Sequence, residues 1–133
     1  METAENLSVC VITYNDEAFI ENCIKETKDI AREMIVADMG SADNTADLAQ
    51  RLGAVVLKLN RQDDFSAVKN DCMDHAKGRW VLFLQANETV LQPDQLDALL
   101  DNPNIEGYLM LVDYHSERYR IASPLQALRL LRN

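Results

Sequence analysis

Three polar side chains follow directly on one apolar run. Gln85, Asn87 and Glu88 come after Trp80-Val81-Leu82-Phe83-Leu84. A short apolar run after Gly78, bounded by polar residues, predicts a buried strand. In open α/β sheets ligands bind beyond the carboxyl ends of the strands, so the three polar residues belong in a site or beside one. Gln85 and Asn87 are amides. Each offers a neutral oxygen where a carboxylate would bring a negative charge. Glu88 is the anion of the trio.

The elements that position these residues are legible from the pattern. Leu7 to Thr13 is β-branched and nearly all apolar, which predicts a central strand covered on both faces. Phe19, Ile20, Cys23, Ile24 and Thr27 recur at helical spacing, so residues 17–31 are expected to be an amphipathic helix. Met34 to Ala37 is a second strand ending at Asp38. Gly40 to Thr45 is a turn rich in helix N-caps, and a helix then runs to about Leu52 with Gly53 as its C-cap. Ala54 to Leu59 is a third strand, Asn60 to Phe65 a polar loop, and Ser66 starts a third helix that ends at Gly78. Pro93 opens a helix over 94–100. Tyr108 to Tyr114 is a fifth strand, and Leu125 to Leu131 reads best as a strand.

Strands alternating with helices give an α/β fold with a mainly parallel sheet between two helical layers. Right-handed crossovers then bring four strand ends to one edge: Thr13 to Asn15, Asp38, Asn60, and Gln85 to Glu88. That edge follows from the fold, and it is where a site would be.

Composition narrows the classes. The chain has 133 residues, the size of one domain, and is 47% hydrophobic and 26% charged, as a globular chain is. A net charge of −9 repels phosphate backbones, so nucleic acid is not an expected partner. Cys10, Cys23 and Cys72 sit in apolar surroundings without metal-knuckle spacing. An odd, unpatterned set reads as buried thiols in a reducing cytosol, hence a cytoplasmic protein. No apolar run reaches the roughly 20 residues that span a bilayer. The acidic segment Met1 to Asn6 is not a secretion signal.

Several nucleotide folds drop out. No Gly-x-Gly-x-x-Gly follows the first strand, and there is no Gly-Lys-Ser/Thr phosphate loop. The third strand ends in Leu59-Asn60-Arg61, without the aspartate a phospho-receiver needs there. There is no Gly-x-Ser-x-Gly elbow. His75 and His115 have no partner at metal spacing and read as structural or exposed.

Four blocks in order resemble a known family. They are Val11-Ile12-Thr13-Tyr14-Asn15-Asp16-Glu17, then Ile35 to Thr45, then Asp63 to Asn70, then Gly78 to Leu84. Together they are similar to the donor half of family 2 glycosyltransferases with the GT-A fold. Leu128 to Asn133 resembles a strand motif found further on in many members. The resemblance covers residues 7–133, so the chain is expected to be a single GT-A-like domain truncated before the acceptor half.

The resemblance implies a sugar nucleotide lying across the strand ends. Thr13 and Tyr14, with Asn15 beside them, would line the base pocket, and Asp38 would hydrogen-bond the base or cap its own turn. Ser41 and Asp43 are expected to be turn and cap residues. Asp64 and Lys69 would sit near the ribose or phosphates, and Asn70 is buried-polar or substrate-facing. The expected reaction moves a hexosyl group from a nucleoside diphosphate sugar to a hydroxyl.

Two departures stand out. The family carries Asp-x-Asp at the end of the fourth strand, holding a divalent cation against the donor diphosphate. Here Gln85-Ala86-Asn87 occupies those positions, so Mn²⁺ or Mg²⁺ binding is expected to be weak, with Glu88 the remaining metal residue. The family's general base lies beyond Asn133, and Glu106, Asp113 and Glu117 sit in no base motif, so the catalytic residues are unknown. A second reading follows: a degenerate, non-catalytic module that binds a nucleotide or a protein. A truncated sheet would also leave a face uncovered near 108–131, which points to a homodimer.

Overall fold

The computed structural model describes residues 7–60, 65–90, 107–114 and 125–132. Strand β1 (Leu7–Thr13) is followed by helix α1 (Ile20–Thr27), strand β2 (Glu33–Asp38), helix α2 (Thr45–Arg51) and strand β3 (Val55–Lys58). Helix α3 (Phe65–His75), strand β4 (Trp80–Gln85) and the short strand β5 (Glu88–Val90) come next. Strands β6 (Gly107–Tyr114) and β7 (Leu125–Arg132) complete the elements. They form one seven-stranded sheet in the order β3-β2-β1-β4-β7-β6-β5.

The first four strands are parallel. β1 pairs β2 from Ser8↔Glu33 to Thr13↔Asp38, and it pairs β4 from Leu7↔Trp80 to Ile12↔Gln85. β3 lies outside β2. The chain therefore steps outward from β1 to β3 and then returns to the other side of β1. That reversal between β1 and β4 is a topological switch point, where α/β sheets open a crevice at their carboxyl edge. β7 pairs β4 antiparallel only from Trp80 to Leu82. The end of β4 thus leaves its neighbour, and the chain turns through Ala86-Asn87 into β5, which pairs β6.

Alternation along the strands feeds two cores. Leu7, Val9 and Val11 of β1 join Trp80, Leu82 and Leu84 of β4 on one face, under Ile20, Cys23 and Ile24 of α1 and Ala49 of α2. Cys10 and Ile12 join Ile35, Ala37, Val81 and Phe83 on the other, under Val68 and Cys72 of α3. A strand apolar on both faces fits only between two helical layers, which explains the unbroken apolar runs. Full burial of each large side chain, such as Leu82 or Leu84, contributes about 1.5–3 kcal/mol.

Local chemistry sets the helix ends. Helix α1 is shorter than the expected 17–31. The Asp16 carbonyl accepts the N–H of both Phe19 and Ile20 at 2.9 Å, so the chain turns before it becomes helical. Gly53, at φ +94°, ends α2 as expected. Its N–H bonds to Gln50 O, and Ala54 N–H bonds to Ala49 O, both at 3.1 Å, which is the Schellman pattern. β5 was not anticipated: three residues after a polar turn carry no periodic signal. The expected helix over 94–100 lies outside the described residues.

The cysteines differ from expectation. Cys10 and Cys72 form a disulfide with a Cα–Cα distance of 6.4 Å, and Cys23 is free and buried. Cys10 points from β1 toward the α3 layer, and Cys72 lies on the buried stripe of α3. Residues 62 apart in sequence offer no spacing signal, so only the shared face reveals the pair.

Candidate functional site

The ends of β1 and β2 are stitched into one platform. Thr13 is buried, and its hydroxyl donates to Asp16 Oδ2 at 2.6 Å. Tyr14 N–H donates to the same carboxylate oxygen at 3.2 Å, while the Tyr14 ring packs half-buried against the α3-side core. Asn15 adopts φ +52°, a left-handed conformation that asparagine tolerates better than most residues. It pairs across to the second loop twice. Its N–H donates to Ser41 Oγ and its Oδ1 accepts Ala42 N–H, both at 2.8 Å.

Asp38 is 4% exposed and holds its own turn. Both its oxygens accept Ser41 N–H at 3.3 Å, and one accepts the Ser41 hydroxyl. The cap role weighed from sequence is therefore present. Asp43 closes the platform from below: its carboxylate accepts Glu17 N–H at 3.2 Å, Thr45 N–H at 3.0 Å and the Thr45 hydroxyl. Burial would raise its pKa, but these hydrogen bonds outweigh it and hold the carboxyl below its ordinary value. Ser41 and Asp43 are thus turn and cap residues, as expected.

The end of β4 lies beside this platform, because Ile12 and Gln85 are register partners. Gln85 is exposed and Asn87 half-buried. Glu88 is 2% exposed, and its Oε1 accepts Gln85 N–H at 2.7 Å. The carboxylate expected to reach a metal is thus engaged in closing the turn. On the α3 side, Lys69 Nζ stands 5.4 Å from the centroid of the Phe83 ring, a cation–π distance. On the α1 side, a cleft of about 270 Å³ runs under the same turn, lined by Phe19, Asn22, Cys23, Glu26, Asn87 and Glu88 among others. Asn22, Cys23 and Glu26 fall within the helix expected over 17–31, and nothing in their spacing marks a cleft. Burial, helped by Glu26, Glu88 and Asp16, pushes the Cys23 thiol up to about 12.

The structure thus brings Thr13, Tyr14, Asn15, Asp38, Lys69, Gln85, Asn87 and Glu88 to one edge. Asn60 follows the end of β3 on the outer side. Asp64 lies outside the described residues. Among the described residues, no group of three or more His, Cys, Asp or Glu side chains could hold a metal ion. Gln85 and Asn87 supply neutral amides and Glu88 is committed to its turn, so these residues do not fit a divalent cation. Among the described residues no helix is long and apolar enough to cross a membrane.

Comparisons with known proteins place this geometry. The family model for Glycosyl transferase family 2 matches residues 8–118. A TPR repeat-containing protein of Synechococcus elongatus is 34% identical over 107 residues, covering 79% of this chain and 27% of the relative. An uncharacterized glycosyltransferase of Rickettsia typhi is 31% identical over 132 residues, covering 91% of this chain and 44% of the relative. The chain therefore spans less than half the length of these relatives. A mannosyltransferase from Pyrobaculum calidifontis, solved with GDP-Man and Mn²⁺, superposes with a TM-score of 0.65. It is 24% identical, over 77% of this chain and 34% of that one, and it shows the fold to be α/β and GT-A-like.

Proposed function

The chain belongs to glycosyl transferase family 2, and from that premise we propose that its carboxyl edge is the donor site of a sugar transferase using a nucleoside diphosphate sugar. One observation carries the reading. The switch point between β1 and β4 sets the ends of β1, β2 and β4, with Thr13, Asp38 and Gln85, side by side at one edge of the sheet, and that edge is where the family resemblance puts the donor.

In this reading the base rests on the platform of Thr13, Tyr14 and Asn15. The Asp38 carboxylate, already holding Ser41, turns a remaining lone pair toward the base. Lys69 meets the ribose and phosphates, the role that the family resemblance also implies for Asp64. The described residues act as the donor half, and the transferred group is a hexosyl unit passed to an acceptor hydroxyl. The mannosyltransferase with GDP-Man lends support through its shared fold.

Saturation-transfer NMR with UDP-, GDP-, CDP- and dTDP-hexoses tests it. Base and ribose protons of one donor should receive saturation, and Asp38→Ala should remove the base signal. Silence from every donor overturns the proposal.

A further inference from the structure

We infer that the donor diphosphate binds at this edge without a divalent cation, met by the neutral amides of Gln85 and Asn87, with the Lys69 ammonium on the same face of the sheet as Gln85. The inference rests on the donor-site reading above.

The first ground is charge. An Asp-x-Asp pair and a divalent cation cancel, so together they leave the strand end near neutral before the diphosphate arrives. Gln85 and Asn87 start neutral. The diphosphate therefore meets the same local net charge with no ion present. Carboxylates there would repel it, which is why such a pair needs the cation.

The second ground is hydrogen-bonding type. A carboxylate only accepts, whereas each amide carries two N–H donors that can point at phosphate oxygens. Hydrogen bonds to a charged acceptor are shorter and stronger than neutral ones. Gln85 is exposed at the strand end, so its amide is open to a ligand.

The third ground is position. Phe83 faces the α3 layer, and strand alternation puts Gln85 on that face too, about 7 Å further along. The Lys69 ammonium, over the Phe83 ring, thus lies on the same face of the sheet as Gln85.

The fourth ground is Glu88. Its Oε1 on Gln85 N–H fixes the backbone of the turn, so this oxygen is committed to the chain and not to a metal. Among the described residues no acid cluster stands in for the missing pair.

Calorimetric titration of the whole chain with UDP, GDP, CDP and dTDP, in EDTA and then in Mn²⁺, tests the inference. The diphosphate that binds should do so equally well in both. Gln85→Ala should weaken it about tenfold, the worth of one hydrogen bond to a charged group. Binding seen only with Mn²⁺ overturns the inference and leaves the donor-site reading standing. No binding of any diphosphate in either buffer overturns the donor-site reading, and the inference with it. Mn²⁺ alone gives a second readout. The free-ion paramagnetic resonance signal should be undiminished by the wild-type chain and depleted by the Gln85→Asp/Asn87→Asp variant. Depletion by the wild type, or none by the variant, counts against it.

Discussion

The carboxylate of Glu88 accepts the backbone N–H of Gln85 at 2.7 Å, inside a turn that leaves it 2% exposed. That bond determines where the β4 end stops and how its amides are presented. Removing the acceptor leaves a part-buried N–H without its partner. Glu88→Ala should therefore lower unfolding free energy by about 1–3 kcal/mol. Glu88→Gln keeps an acceptor oxygen and should cost less than about 1 kcal/mol. Urea denaturation of the two variants checks both figures, and equal losses would show that the bond is not the stabilising contact.

Asn15 separates backbone strain from hydrogen bonding. At φ +52° an alanine is disfavoured, and it also loses the acceptor for Ala42 N–H. Glycine loses the same acceptor but accepts the conformation. Asn15→Ala should thus be less stable than Asn15→Gly by about 1 kcal/mol, after the extra unfolded-state entropy of glycine is counted. Thermal unfolding of the pair reads the difference.

Asp43 predicts a pH dependence. Its hydrogen bonds lower the folded pKa below the ordinary 3.8. Between the two values the unfolded chain binds more protons, so stability rises with pH. The contribution is complete above about pH 4 and is lost as pH falls through the folded value. Asp43→Asn should therefore be destabilised at neutral pH, with the gap to wild type closing in strong acid. A gap independent of pH would assign the effect to shape, not charge.

The cysteines predict a thiol count. Denatured without reductant, the chain should show one titratable thiol, Cys23, and three after reduction. Closing a loop of 62 residues is worth about 4 kcal/mol in a chain-entropy estimate, so reduction should lower the melting temperature clearly. In the native state Cys23, with its pKa near 12, should resist iodoacetamide at pH 8.

Most of the parallel sheet was legible in the sequence, because strands buried on both faces must be apolar throughout. Leu7 to Thr13 was read to the residue. Leu125 to Leu131, whose period was ambiguous, is a strand to Arg132. What escaped was whatever depends on faces meeting at a distance. Cys10 and Cys72 pair through the register of a strand and the stripe of a helix, which no local window contains. Glu88 was expected to be the remaining metal residue, since its hydrogen bond to Gln85 exists only once the chain turns. The amides at 85 and 87 were visible at once, because a change of residue type needs no fold to be noticed.

Gln85 owes its place to its backbone, paired with Ile12 and tied to Glu88, while its side chain is exposed to solvent. Occupancy of this position is therefore decoupled from folding. Variation there can drift without a thermodynamic penalty, and a melting curve is blind to it. Two homologous chains differing only in acid or amide would express, purify and unfold alike, and only a ligand would tell them apart.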